Sequence, residues 1–308
     1  MSTAAIAPLP APVRRAARWR PPEHVLALAR IEGRRLVLHP VFLAGAVLSV
    51  GFVIFVWATP DDRLLGMLVS GYVVLPLSAA ALIAANLGAL RSRRDGTEEL
   101  FASLPRRRSS RTAGQLLGLL WTLPVSGVLL AGAYVVASGG VLEGPRGGPV
   151  PFDAPAAVEL AQGPLAVIAL GAAGIALARV APMAIVAVLL VIGGFFLEFE
   201  LTYWIVGQQT IEGRSPAWVH WLVPVANDAV ETARPCPPDI LARIANPPAN
   251  CRSIDLHHDV SGLAWHVAWL AAATALAAGA ALVRSLVVRL SLVALVALLA
   301  LASALAAG

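Results

Sequence analysis

The amino-acid sequence predicts an all-α fold: a polytopic transmembrane helical bundle with an interfacial helix ahead of its first span. Three observations carry this. Of the 308 residues, 58% are hydrophobic and 13% are charged, whereas a soluble domain carries about 25% charge. Seven apolar runs reach the roughly 20 residues that a spanning helix needs. The basic residues are all arginine and gather at alternate connections between those runs. The pI near 10.2 is therefore a matter of topology, and nucleic acid is not an expected partner. Arginine without lysine, in a chain rich in Ala, Gly and Pro, points to a GC-rich bacterial source.

Residues 1–21 are rich in Ala, Pro and Arg. No continuous apolar stretch leads to a cleavage site, so no signal peptide is read. The expectation is a disordered basic tail near anionic lipid. Residues 22–39 read as the interfacial helix. At about 100° per residue, Val25, Leu28, Ala29 and Leu36 share one face, with Glu23, Arg30 and Arg34 opposite. Glu32 falls on the apolar side. There it pairs with an arginine of the 91–111 loop, points at a partner, or sits on a frayed end.

The predicted spans are 41–59, 64–90, 112–137, 156–178, 180–199, 261–283 and 287–307. Six form the core within a transmembrane domain at 40–285, and residues 286–308 supply a seventh. Arginines precede span one, crowd the connection between spans two and three, and recur at Arg179, Arg284 and Arg289. Of the other connections, 59–63 holds Asp61 and Asp62 ahead of Arg63, and 138–155 holds Glu143, Asp153 and one Arg146. Positive charge stays inside, so the N-terminus and the 91–111 loop are expected on the cytoplasmic face of a bacterial membrane.

That loop, RSRRDGTEELFASLPRRRSSR, is the most charged interior segment. Asp95 is placed to N-cap a short helix, and Glu98 falls three residues later as in a capping box. Leu100, Phe101 and Leu104 make an apolar stripe, and Pro105 stops it. With Glu98 and Glu99 unspent, this reads either as a docking surface for a soluble partner or as an orienting loop. Residues 198–260 form the outer segment. Its Cys236 and Cys251, the only cysteines, read most simply as a disulfide on an extracytoplasmic loop. The alternative is two free thiols. Closing about 15 residues contributes on the order of 3 kcal/mol. His220, His257, His258 and His266 show no ligand spacing that points to metal.

No nucleotide-binding loop and no nucleophile–base pair are present. Spans one, two, three and five carry no ionisable residue at their centres, which argues against ion coupling. Energy for any transport enters from outside the bilayer. Gly114 and Gly118 form a GxxxG pair read as intrachain packing, and Pro76, Pro124 and Pro164 are candidate kinks.

The stretches ARIEGRRLVLHP and SRRDGTEELFASLPRRRSSRTAGQLLG, with RVAP and ALVRSLVVRL further on, resemble the membrane subunits of type-2 ABC exporters. The resemblance implies a permease without enzymatic activity of its own. It implies pairing with a second permease copy and with separate cytoplasmic ABC ATPase subunits that hold ATP and Mg. It makes residues 96–104 the coupling helix, with Asp95, Glu98, Glu99, Leu100, Phe101, Leu104 and Glu32 facing the ATPase. It places spans two and five on the path, with Tyr72, Phe195 and Phe196 at the substrate. The alternative is a non-transporting membrane scaffold or sensor that anchors a cytoplasmic partner.

Overall fold

A computed structural model of the chain describes residues 23–58, 71–96, 108–137, 157–196, 229–235, 252–258 and 260–283, with scattered positions from 285 to 294. Among the described residues the fold is helical apart from one pair of short strands. Helix α1 is Glu23–Val37 and α2 is Pro40–Ala58. Only Leu38 and His39 separate them. This elbow is tied by hydrogen bonds from Leu38 N to Arg34 O, from His39 N to Leu36 O and from Val41 N to the His39 Nδ1, at 3.1, 3.0 and 3.3 Å. Pro40 opens α2, where a missing backbone N–H costs nothing.

A short 3-10 turn, Tyr72–Val74, leads into α3 at Leu75–Arg94. Pro76 lies in the first turn of α3 and so starts this helix, where kinking was expected. The last turn of α3 holds Arg91, Arg93 and Arg94, which suits the negative end of the helix dipole. Helix α4, Arg108–Gly118, passes through a 3-10 turn at Leu119–Thr122 into α5, Leu123–Ala137. The tightened turn directly precedes Pro124, whose ring would clash with the carbonyl of Leu120 in a regular helix. Helix α6, Ala157–Val180, runs on through Pro164. Helices α7, Ala184–Phe196, and α8, Val260–Leu282, complete the helical set.

Among the described residues, four helical stretches are long and apolar enough to cross a membrane: Pro40–Ala58, Tyr72–Arg91, Ser109–Val135 and Leu160–Val180. They correspond to expected spans one to four. Helix α7 and the apolar part of α8, His266–Leu282, are shorter. The expected seventh span falls almost wholly outside the described residues.

Helix α3 is the centre. It packs on α6 along one side and α2 along another, and α8 packs on the far side of α6. Phe42, Val73, Val74, Leu77, Leu130 and Val167 fill the core around the first half of α3. Ala85, Ala89, Leu90, Leu119, Ala172 and Ile175 fill it around the second half. Between apolar helices there is little hydrophobic drive to associate in lipid, so small residues and hydrogen bonds decide the contacts. Both occur here. Gly174 lies so close to α3 that an added Cβ would strike the Leu82 carbonyl. Asn86 Nδ2 donates to the Gly174 carbonyl at 3.1 Å, fully buried.

Helix α1 meets α4 in the same way. A Cβ on Gly114 would come 2.8 Å from the Leu28 Cβ, and one on Gly118 would come 2.9 Å from Gly33 N. The GxxxG pair thus packs within the chain, against a matching small-residue stripe of Ala29 and Gly33. Val25, Ala29 and Gly33 are buried, so protein covers this face of α1.

Strands β1, Ala229–Pro235, and β2, Arg252–His258, pair antiparallel from Ala229↔His258 to Pro235↔Arg252. This ribbon falls within residues 198–260, where no strand was expected.

Candidate functional site

Four arginine-bearing chain segments converge on one end of the bundle. They are the end of α1, the end of α3, the start of α4 and the end of α6. All four helices and the elbow surround a cavity of about 840 Å³. Five arginines line it: Arg34 and Arg35 from α1, Arg91 and Arg94 from α3, and Arg111 from α4. Two carboxylates, Glu32 and Asp95, stand against them. Leu36, Leu87, Leu119 and Ile175 form the apolar wall. Helical spacing explains the gathering. Arg91, Arg94 and Asp95 lie three or four apart on α3, and Arg111 and Gln115 lie four apart on α4, so each set shares a face.

The acids are tied locally. Glu32 Oε1 lies 3.6 Å from Arg35 Nη1 on its own helix, and among the described residues no arginine of the 91–111 loop pairs with it. The Glu32 side chain is only 16% exposed, which keeps this pair at the cavity wall. Asp95 Oδ2 lies 3.5 Å from Arg91 Nε, a well-exposed pair that contributes little to stability.

Asp95 also departs from its expected role. Its backbone N–H donates to Arg91 O at 2.9 Å, and Gly96 N donates to Arg93 O at 3.3 Å. Gly96 has φ +64, the left-handed turn that ends a helix. Asp95 therefore closes α3 and cannot N-cap a following helix, because the next residue is not helical.

Three polar groups lie deeper. Arg179, from the end of α6, donates from Nη2 to Thr112 Oγ1 at 3.0 Å, linking α6 to α4. Gln115 is only 6% exposed, and among the described residues its Oε1 has no hydrogen-bond partner. His39, at the elbow, has its pKa lowered by burial. Its Nδ1 already accepts from Val41 N, which agrees with a neutral ring. Sequence reasoning missed Gln115 and the convergence of Arg34, Arg35 and Arg111. The available signal was a lone amide, four residues after an arginine, at the head of an apolar run.

The remaining predicted residues are scattered. Glu98, Glu99, Leu100, Phe101 and Leu104 lie outside the described residues. Tyr72 begins the turn before α3, whereas Phe195 and Phe196 end α7, 68% and 62% exposed. The two phenylalanines meet edge to face, with centroids 6.3 Å apart. Cys236 and Cys251 also lie outside the described residues, but their neighbours Pro235 and Arg252 are register partners. Among the described residues, no three His, Cys, Asp or Glu gather as metal ligands would.

Comparison with protein-family models, with curated proteins and with solved structures finds no match to this chain.

Proposed function

We propose that this chain is the membrane permease subunit of an ATP-driven exporter of the type-2 ABC kind, worked by a separate cytoplasmic ATPase. The observation that carries the reading is the placement of the loop ends. Residues 97–107 leave from the end of α3 and return at the start of α4. Helix α3 is the most buried of the four span-length helices, with 67% of its window inside the bundle. Helix α4 grips α1 through Gly114 and Gly118. Force applied to residues 97–107 would thus reach both the centre of the bundle and the helix that leads into α2. Glu98, Glu99 and the Leu100, Phe101, Leu104 stripe are the surface for the ATPase. No mid-span acid offers another source of energy in α2 or α3.

In this reading six spans form the core, residues 287–307 add a seventh, and the arginine end faces the bacterial cytoplasm. The exposed apolar faces of α2 and α7 meet lipid or a second copy, and Phe195 and Phe196 lie on such a face. The outer ribbon is closed by a disulfide. What supports this is that Pro235 and Arg252, the chain neighbours of Cys236 and Cys251, are the last register partners of the ribbon.

The test is co-purification with an ABC ATPase and ATP turnover in lipid. Glu98→Ala with Glu99→Ala is expected to lower coupled transport roughly tenfold and to leave membrane insertion intact. Association that survives with no ATP-dependent transport would favour the scaffold reading. Unchanged transport in the double variant would remove the coupling role.

A further inference from the structure

The arginine-lined cavity has a chemistry that orienting charges alone do not need. Arginines that only fix topology can point into water, one by one. Here they ring a concave space with an apolar wall, and the largely buried Gln115 is part of its lining. Among the described residues, Arg35 and Arg91 are matched by Glu32 and Asp95, but Arg34 and Arg94 have no carboxylate within ion-pair distance. Positive charge therefore exceeds negative charge round the rim. Leu36, Leu87, Leu119 and Ile175 continue the cavity into the bundle. An occupant must be anionic at one end and apolar at the other. Arginine favours phosphate because its planar fork donates two parallel hydrogen bonds. The volume lies within the roughly 300–1,000 Å³ of ligand pockets, which holds a headgroup and the first part of its chains.

Gln115 narrows the choice. Its Oε1 is an acceptor, buried and unpartnered, and a bare phosphate diester offers it no donor. A headgroup that carries a hydroxyl beyond its phosphate does. We propose that this cavity, between α1, α3, α4 and α6, binds an anionic phospholipid of the phosphatidylglycerol type. Its phosphate lies between Arg34 and Arg94, and its glycerol hydroxyl donates to Gln115. The site rests on the reading of this chain as a membrane protein with the arginine end at a lipid headgroup layer. It is independent of any ATPase.

The experiment uses the full chain in bilayer nanodiscs made of equal parts phosphatidylcholine and phosphatidylglycerol. Lipid retained after extraction is read by native mass spectrometry. The wild type is expected to retain phosphatidylglycerol in preference to phosphatidylcholine. Arg34→Gln with Arg94→Gln should cut that preference at least about tenfold, because each loses charge-assisted hydrogen bonds to the phosphate. Gln115→Leu should weaken phosphatidylglycerol retention, and should change nothing when phosphatidylmethanol, an anionic diester with no headgroup hydroxyl, replaces phosphatidylglycerol in the nanodisc. Arg30→Gln, on an exposed position of α1 away from the cavity, should change nothing.

Equal loss in Arg30→Gln would overturn the site in favour of general surface attraction. Displacement of the lipid by inorganic phosphate alone would overturn the lipid and leave a soluble phosphate site. No preference in the wild type would mean that the cavity is closed from within, and would also overturn the proposal. A chain that retains phosphatidylglycerol through these residues but never joins an ATPase keeps the site and loses the exporter reading. A chain that drives ATP-dependent transport without lipid preference does the reverse.

Discussion

Helices α2 and α3 are both span-length and uncharged through their middles, yet they live in opposite surroundings. In α3, 67% of the span window is buried in the bundle, against 22% in α2. Overall hydrophobicity does not separate them, since both would pass as spans. The texture of the side chains does. From Ser78 to Leu90 α3 reads SAAALIAANLGAL, with small residues and a single amide, and that amide holds α6 through Gly174. Helix α2 carries Leu43, Val47, Leu48, Val50, Ile54 and Phe55 outward, each 46–69% exposed. It touches α3 through Gly45, where a Cβ would come 2.9 Å from the Pro76 carbonyl. Lipid solvates large aliphatic chains as well as protein does. Close backbone approach, by contrast, can be made only by another helix.

The contrast gives a graded set of substitutions. The largest effect is expected at the α3–α6 crossing. Gly174→Leu forces the helices apart at the Leu82 carbonyl and should cost about 3 kcal/mol or more, read as a lower midpoint in detergent thermal unfolding. Next is Asn86→Leu, which removes one interhelical hydrogen bond and should cost about 0.6–1.7 kcal/mol. Smaller still is Val47→Ala on the exposed face of α2, expected within about 0.5 kcal/mol. A cost at Val47 as large as that at Asn86 would break the contrast, because some second surface would then cover α2.

The smallest effect is at the elbow. Burial lowers the His39 pKa below its ordinary 6.5. The unfolded chain then takes up the proton first, so stability should fall as pH drops through that value and the folded pKa below it. Above it the term vanishes. His39→Gln should flatten that slope in unfolding midpoints measured across mildly acidic pH.

Much of this was legible in the sequence, for reasons that particular residues make plain. The predicted span at 41–59 is α2 at Pro40–Ala58, and the span at 156–178 is α6 at Ala157–Val180. Long apolar runs leave a helix few alternatives. The GxxxG of α4 was readable, but its partner was not. Ala29 and Gly33 lie some eighty residues earlier, and no local pattern links the two stripes. Asp95 was misread because Asp-x-x-Glu fits a capping box. The competing signal was equally present: three arginines in the last turn, then Gly96, mark a helix end. The β1–β2 ribbon escaped because Val230, Thr232, Ile254 and Leu256 alternate over only a few positions in a polar, proline-rich segment. The cavity was invisible because it is assembled from four segments, each of which alone is an ordinary basic flank.

The two-residue elbow at Leu38–His39 carries one more consequence. With no slack between Val37 and Pro40, the pair behaves as a bell crank. A tilt of α1 would be passed on to α2, whose outward face has no helix behind it among the described residues. Motion that begins at the arginine end would then be delivered sideways into the plane of the bilayer. Surrounding fatty chains, or a neighbouring molecule, would feel it before the far side of the bundle did.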